Sequence, residues 1–239
     1  MNKNLGRMNL PFIVYVSICL VGAANFVLFG ESDTIIASLH TAINGVFPQG
    51  ILVMRYLFYM IVHLGLVYLF LHYFERIQYG QMFYILIRSK SFLHWFLHQL
   101  GNITLLGLVW LVALALLFYV GGLLRGLPLG AGVEDVPTTI ILYHHFINGL
   151  LQFVNYALIA FIVFWIWRSD VLLLGSFAVM FLLGLPAINT HQFLPFALSS
   201  MGYVTSAWFG VFTISGVLVA FIIIEIVFLI LVFKKAKSI

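Results

Sequence analysis

The sequence predicts an all-α integral membrane protein with six transmembrane helices, and three observations predict it. Of 239 residues, 64% are hydrophobic and only 8% charged, whereas a soluble domain carries roughly 25% charged residues. Mean hydropathy is +1.15. The apolar residues also gather into six continuous runs, Leu10–Gly30, Ile51–Phe74, Ile103–Leu124, Thr138–Trp167, Val171–Ala187 and Ser206–Phe233. A helix needs about 20 such residues to cross about 30 Å of hydrocarbon, while a barrel would show short strands of alternating polarity. No soluble domain fits between the runs, so residues 1–239 read as a single transmembrane domain. Cys19 stands alone, which excludes a disulfide framework or thiolate metal cluster within one chain.

Charge orients the runs. With the N-terminus cytoplasmic, Lys3, Arg7, Arg76, Arg88, Lys90, Arg168, Lys234, Lys235 and Lys237 all fall inside, nine of the eleven basic residues. Arg55, in the second run, and Arg125, in an outer loop, are the exceptions. Glu31, Asp33, Glu134 and Asp135 fall outside. Six spans with both termini cytoplasmic follow. Basic loops facing an anionic leaflet account for the +4 charge, with no need of nucleic acid. Lys3, Arg7, the first run and Gly22-Ala23-Ala24 also look like a signal peptide. The run is long enough to serve as an uncleaved first span.

The connection between the second and third runs stands apart from the short loops elsewhere. At 100° per residue, Lys90, Ser91, His94 and His98 share an arc of about 100°, with Phe92, Leu93, Trp95 and Phe96 around the rest. This is an amphipathic, basic, aromatic-rich helix on the cytoplasmic side. It either floats in the interface, anchored by Trp95, or meets a partner.

Its residues resemble the cytoplasmic loop of type-2 ABC exporter permeases. The matching pieces are Glu75 and Arg76, Tyr79-Gly80, the apolar Ile85-Leu86-Ile87, the corner Arg88-Ser89-Lys90-Ser91, and Trp95. Six spans, cytoplasmic termini and a length near 240 residues are similar to that family as well. The chain departs from it in having only nine residues, Met1–Asn9, before the first run, where family members carry a longer amphipathic helix.

The resemblance implies a membrane-spanning exporter subunit that performs no chemistry itself. A coupling helix would sit in a groove of a separate cytosolic ATP-binding subunit, which supplies ATP and Mg. Arg88, Ser89, Lys90, Ser91, His94 and His98 would face that subunit. A second permease copy or paralogue, a bacterial cell membrane and an antimicrobial or other peptide as substrate complete the expectation; no cofactor is expected in this chain.

Between the fifth and sixth runs, residues 188–203 are too apolar for a solvated loop and too broken for a span. Pro186 and Pro195 each remove a backbone donor, and His191 lies between them. Non-helical backbone at membrane depth must be buried in protein or line a cavity. The segment resembles the re-entrant helices that the exporter family has here; the alternative is a surface loop anchored by Phe193, Phe196 and Tyr203.

Ionisable groups inside apolar runs are functional candidates by default. Glu225 lies nine residues before Lys234, about 13 Å from the inner boundary at 1.5 Å per residue. Arg55 lies about 7 Å from the outer one by the same rise, within snorkelling reach. His145 and Asn148 are further intramembrane candidates. His94 and His98 have zinc-compatible spacing, and His63 with His145 supplies two haem ligands without a second pair. No zinc-protease, serine-hydrolase or Walker-type motif occurs. A haem or metal redox protein and a stand-alone immunity or receptor-like protein therefore remain as competitors to the exporter subunit.

Overall fold

The computed structural model describes residues 5–88, 92–130, 132–133, 135–167, 169–189 and 191–236, with side-chain detail between residues 10 and 71 and between 95 and 232. The chain is mostly helical. Among the described residues eight α-helices run in order: α1 Leu5–Leu28, α2 Ile35–Ile43, α3 Val53–Arg88, α4 Phe92–Leu124, α5 Thr138–Tyr143, α6 Gly149–Trp167, α7 Asp170–Leu183 and α8 Trp208–Ala236. A π-turn, His144–Asn148, joins α5 to α6, so Thr138–Trp167 is one helical run.

Among the described residues five helices are long and apolar enough to cross a bilayer: Leu10–Leu28, Val53–Leu71, Trp95–Leu124, Thr138–Trp167 and Trp208–Val232. The chain is a multi-pass membrane protein by this measure. The expected fifth run differs. It is helical only to Leu183, and the 14 residues of α7 span about 21 Å, short of about 30 Å of hydrocarbon. Pro186 explains the stop, because it removes a donor and biases the preceding residue away from helix.

The connection after the second run also differs from the expected separate helix. Residues 75–88 extend α3, a helix of 36 residues, and residues 92–102 open α4. The amphipathic stretch is thus divided between the ends of two long helices. Ser89, Lys90 and Ser91 lie outside the described residues.

The central helix is α6, which packs on α3, α4, α7 and α8. Of the spans, the α6 run and α3 are the most buried, and they carry apolar residues on every side, as a helix enclosed by others must. α1 buries a single stripe, Tyr15, Cys19, Ala23 and Val27, against α3 and α4, and leaves its other faces open.

One end of the bundle is closed by α2 and two small hairpins. Thr34 caps α2, its Oγ1 accepting from the Ala37 amide at 3.1 Å. Val46–Phe47 pairs antiparallel with Gly50–Ile51 across a Pro48-Gln49 turn, and Gly132–Val133 with Val136–Pro137. α4 ends where Gly126 takes φ +77°, letting the Leu127 amide reach back to Gly122 O at 2.9 Å. Arg125 gains a local role there: its guanidinium donates to Val27 O at 3.0 Å and Gly30 O at 2.6 Å, the free carbonyls at the end of α1.

Candidate functional site

The segment between α7 and α8 is the main departure from helix inside the bundle. Residues 195–200 are buried without a gap and run through bends and turns, and a 3₁₀ turn at Met201–Tyr203 follows. The side chains that hold this segment come from the middle of the α6 run. Tyr156 is 18 residues from Thr138 and 11 from Trp167, about 27 and 16 Å along the axis.

Buried in protein, the loose amides and carbonyls of this segment must find partners, and side chains supply them. Gln152 acts as a two-pronged clamp: its amide donates to Pro195 O at 2.5 Å, and its Oε1 accepts from the Leu198 amide at 3.0 Å. One turn on, the Tyr156 hydroxyl accepts from the Ala197 amide at 2.9 Å. Ala197 stands between these ties at φ +58°, a left-handed conformation unusual for a residue with a Cβ. From within the segment, Asn189 donates to Leu194 O and Phe196 O and accepts from the Leu194 amide.

α3 and the Val46–Ile51 hairpin grip the other side. Tyr59 and Ser199 hydroxyls share a hydrogen bond at 2.8 Å, and Tyr56 donates to Phe181 O, near the end of α7, at 2.6 Å. Ser200 Oγ accepts from the amides of Gly45 and Val46 at 3.2 and 3.0 Å. Gly202 must be glycine, since an added Cβ would collide with Val46 O and lie 2.5 Å from Asn44 Oδ1. Tyr203 is buried beside them with its hydroxyl unpartnered.

The adjacent histidines of the π-turn face different neighbours. His144 Nε2–H donates to Ser200 O at 3.3 Å, while its Nδ1 accepts from the Asn148 amide at 2.9 Å. His145 Nε2–H donates to Leu111 O on α4 at 3.1 Å. Asn148 also donates to Val211 O on α8 and accepts from Ser215 Oγ. His63 Nδ1–H donates to Tyr59 O at 2.9 Å, leaving Nε2 buried without a partner. Among the described residues no three His, Cys, Asp or Glu side chains gather as a metal site.

The candidates from the sequence fall into three groups. Pro195 belongs to this site and Asn148 reaches it through His144, whereas His145 turns to Leu111 on α4. Glu225 is buried in α8, away from it, with Oε2 unpartnered. Arg55 sits in the first turn of α3, beside Gly45, so it marks the helix end rather than the interior. His191 is exposed against Phe193, and Pro186 lies in the turn after α7. At the α3–α4 corner, Arg88 ends α3, His94 lies in the first turn of α4, and His98 is exposed.

Gln152, Tyr156, Tyr59, Asn189 and Ser200 were missed by sequence reasoning. One signal was present: residues 144, 145, 148, 152, 155 and 156 form a polar stripe through an otherwise apolar run. No family model, curated protein or solved structure matches the chain.

Proposed function

We propose that the chain is the membrane-spanning subunit of a type-2 ABC exporter in a bacterial cell membrane, with both termini cytoplasmic. It works as a dimer with a second copy or a paralogue, and a separate ATP-binding subunit supplies ATP, Mg and the hydrolysis. α7 and the clamped segment together make the fifth crossing: α7 covers one leaflet, and residues 184–207 form a re-entrant stretch on the outer side. The transported molecule is a peptide.

The observation that carries this reading is the continuity of α3. The helix whose Tyr56 and Tyr59 hold Phe181 and Ser199 is the helix that ends at Arg88, on the basic corner. A displacement of that corner is passed along one helix to the clamped segment. Packed interiors and hydrogen-bonded clamps respond in steps, so a small shift changes the segment between discrete arrangements.

Co-purification with the cognate ATP-binding subunit tests the assignment. Wild-type chain should retain it, and Arg88→Glu with Lys90→Glu should release it while the chain stays folded. Tyr59→Phe, at the far end of α3, should keep the subunit bound but loosen the link between ATP hydrolysis and export. If the double charge reversal leaves the complex intact, the corner is not the handle and the reading fails.

A further inference from the structure

α7 leaves a lateral groove against α6 that the described chain does not fill. Ile159 and Val163 form one wall, Gly175 and Val179 the other; Trp167 stands at one mouth and Phe196 closes the far end. The volume is about 570 Å³. Apart from the Trp167 indole, the lining offers no free polar group, because the Ser176 hydroxyl donates back to Leu173 O at 2.7 Å. Its lining includes exposed Trp167, Leu172 and Val179, so the groove opens onto the outer surface of both helices.

Gly175 keeps one wall of this groove low. A Cβ there would meet nothing within 4 Å, as at Gly101 and Gly216, whereas at Gly22, Gly65 and Gly107 it would strike the rings of Phe58, Tyr15 and Phe153. A side chain at position 175 would therefore enter the groove without disturbing the packing of this chain.

Size selects among occupants. A second helix about 10 Å across and 16 Å long would need on the order of 1,200 Å³, about twice the space present. From Leu172 to Leu183 the groove follows eleven residues of α7, about 16 Å, and one leaflet of hydrocarbon is about 15 Å deep. We infer that the groove seats one acyl chain of a membrane phospholipid, its head end beside Trp167 and its tip against Phe196. This site does not depend on the exporter reading. It gives the membrane a contact with the clamped segment, because Phe196 lies between Pro195 and Ala197 and its ring stacks on Tyr156 at 6.4 Å.

Native mass spectrometry of the full chain, purified in mild detergent and titrated with phosphatidylglycerol, tests it. Wild type and Gly175→Ala should retain one phospholipid per chain. Gly175→Phe and Val163→Trp, which fill the groove from opposite walls, should each lose it at least tenfold more readily. Gly216→Phe, on an equally open stretch of α8, should behave as wild type. Equal retention by both filling variants overturns the site, as does a wild-type chain with no stoichiometric lipid. Loss of self-association in those variants, with no lipid retained by wild type, makes a second copy the occupant and overturns it too.

Discussion

The two polar faces of α6 carry similar residues to different ends. Towards α3 and the clamped segment, Gln152 and Tyr156 bind amides and a carbonyl that no helix satisfies. Towards α8, Asn148 and Asn155 donate to Val211 O and Leu218 O, carbonyls within a regular helix. The second face is a ladder: both pairs are 63 residues apart and their rungs are seven residues apart. The same 63-residue step pairs Ile162 with Glu225, where α6 offers no amide and the carboxyl's Oε2 has no partner. A polar side chain in a span therefore matters in proportion to what would be left bare without it.

Substitutions on the two faces should separate these roles. Gln152→Leu leaves Pro195 O and Leu198 N–H buried and unpaired, and each such group costs about 1–3 kcal/mol, so a loss of about 2–6 kcal/mol is expected. Thermal unfolding in detergent measures it, and amide exchange at Ala197 and Leu198 should rise with it. Gly202→Ala comes next. Its methyl group meets Val46 O and the Phe47 Cβ, backbone-anchored atoms that cannot swing aside, and overpacking of this kind costs about 1–3 kcal/mol. The exchange protection of Gly45 and Val46 should fall in parallel, because the Ser200 tie depends on the same approach.

Asn155→Leu should cost far less, about 0.6 kcal/mol, the average for interhelical hydrogen bonds in membranes. Leu218 O keeps its helix, and the mutation also removes Asn155 Oδ1, which is buried without a partner. A loss as large as that of Gln152→Leu would show that the α8 ladder, too, is essential, and the contrast between the faces would collapse.

Spans were legible in the sequence because length and hydropathy report on helices directly, and Leu10–Leu28 and Thr138–Trp167 have close to the expected limits. Where tertiary contacts take over, that legibility ends. The run at Val171–Ala187 looked long enough to cross, but composition does not register that Gly184 and Pro186 turn the chain into a packed segment. The α3–α4 connection read as a separate helix because polarity changes at Glu75, although nothing there stops a helix: neither proline nor a glycine pair interrupts residues 75–88. Along the α6 run, His145 and Asn148 are conspicuous as an ionisable and an amide group in a span. Gln152 is not, because its importance lies in Pro195 and Leu198, more than forty residues away.

Glu225→Leu sits at the low end of the scale and is the sharpest probe of the ladder's missing rung. Glu225 is buried, 7% exposed as a residue, and its Oε2 finds no donor, whereas a buried polar group normally has at least one partner. Nothing in the chain is left unpaired when it goes, and leucine returns apolar contact to the α6 side of α8. Replacement should leave the unfolding midpoint unchanged or raise it by a few degrees. Glu225→Gln, which keeps the shape and supplies an amide, should change it no more than Asn155→Leu does. A clear drop with leucine, restored by glutamine, would mean that the carboxyl is satisfied by a group outside this chain, and α8 would then be an interface rather than a seam that ends at its last amide.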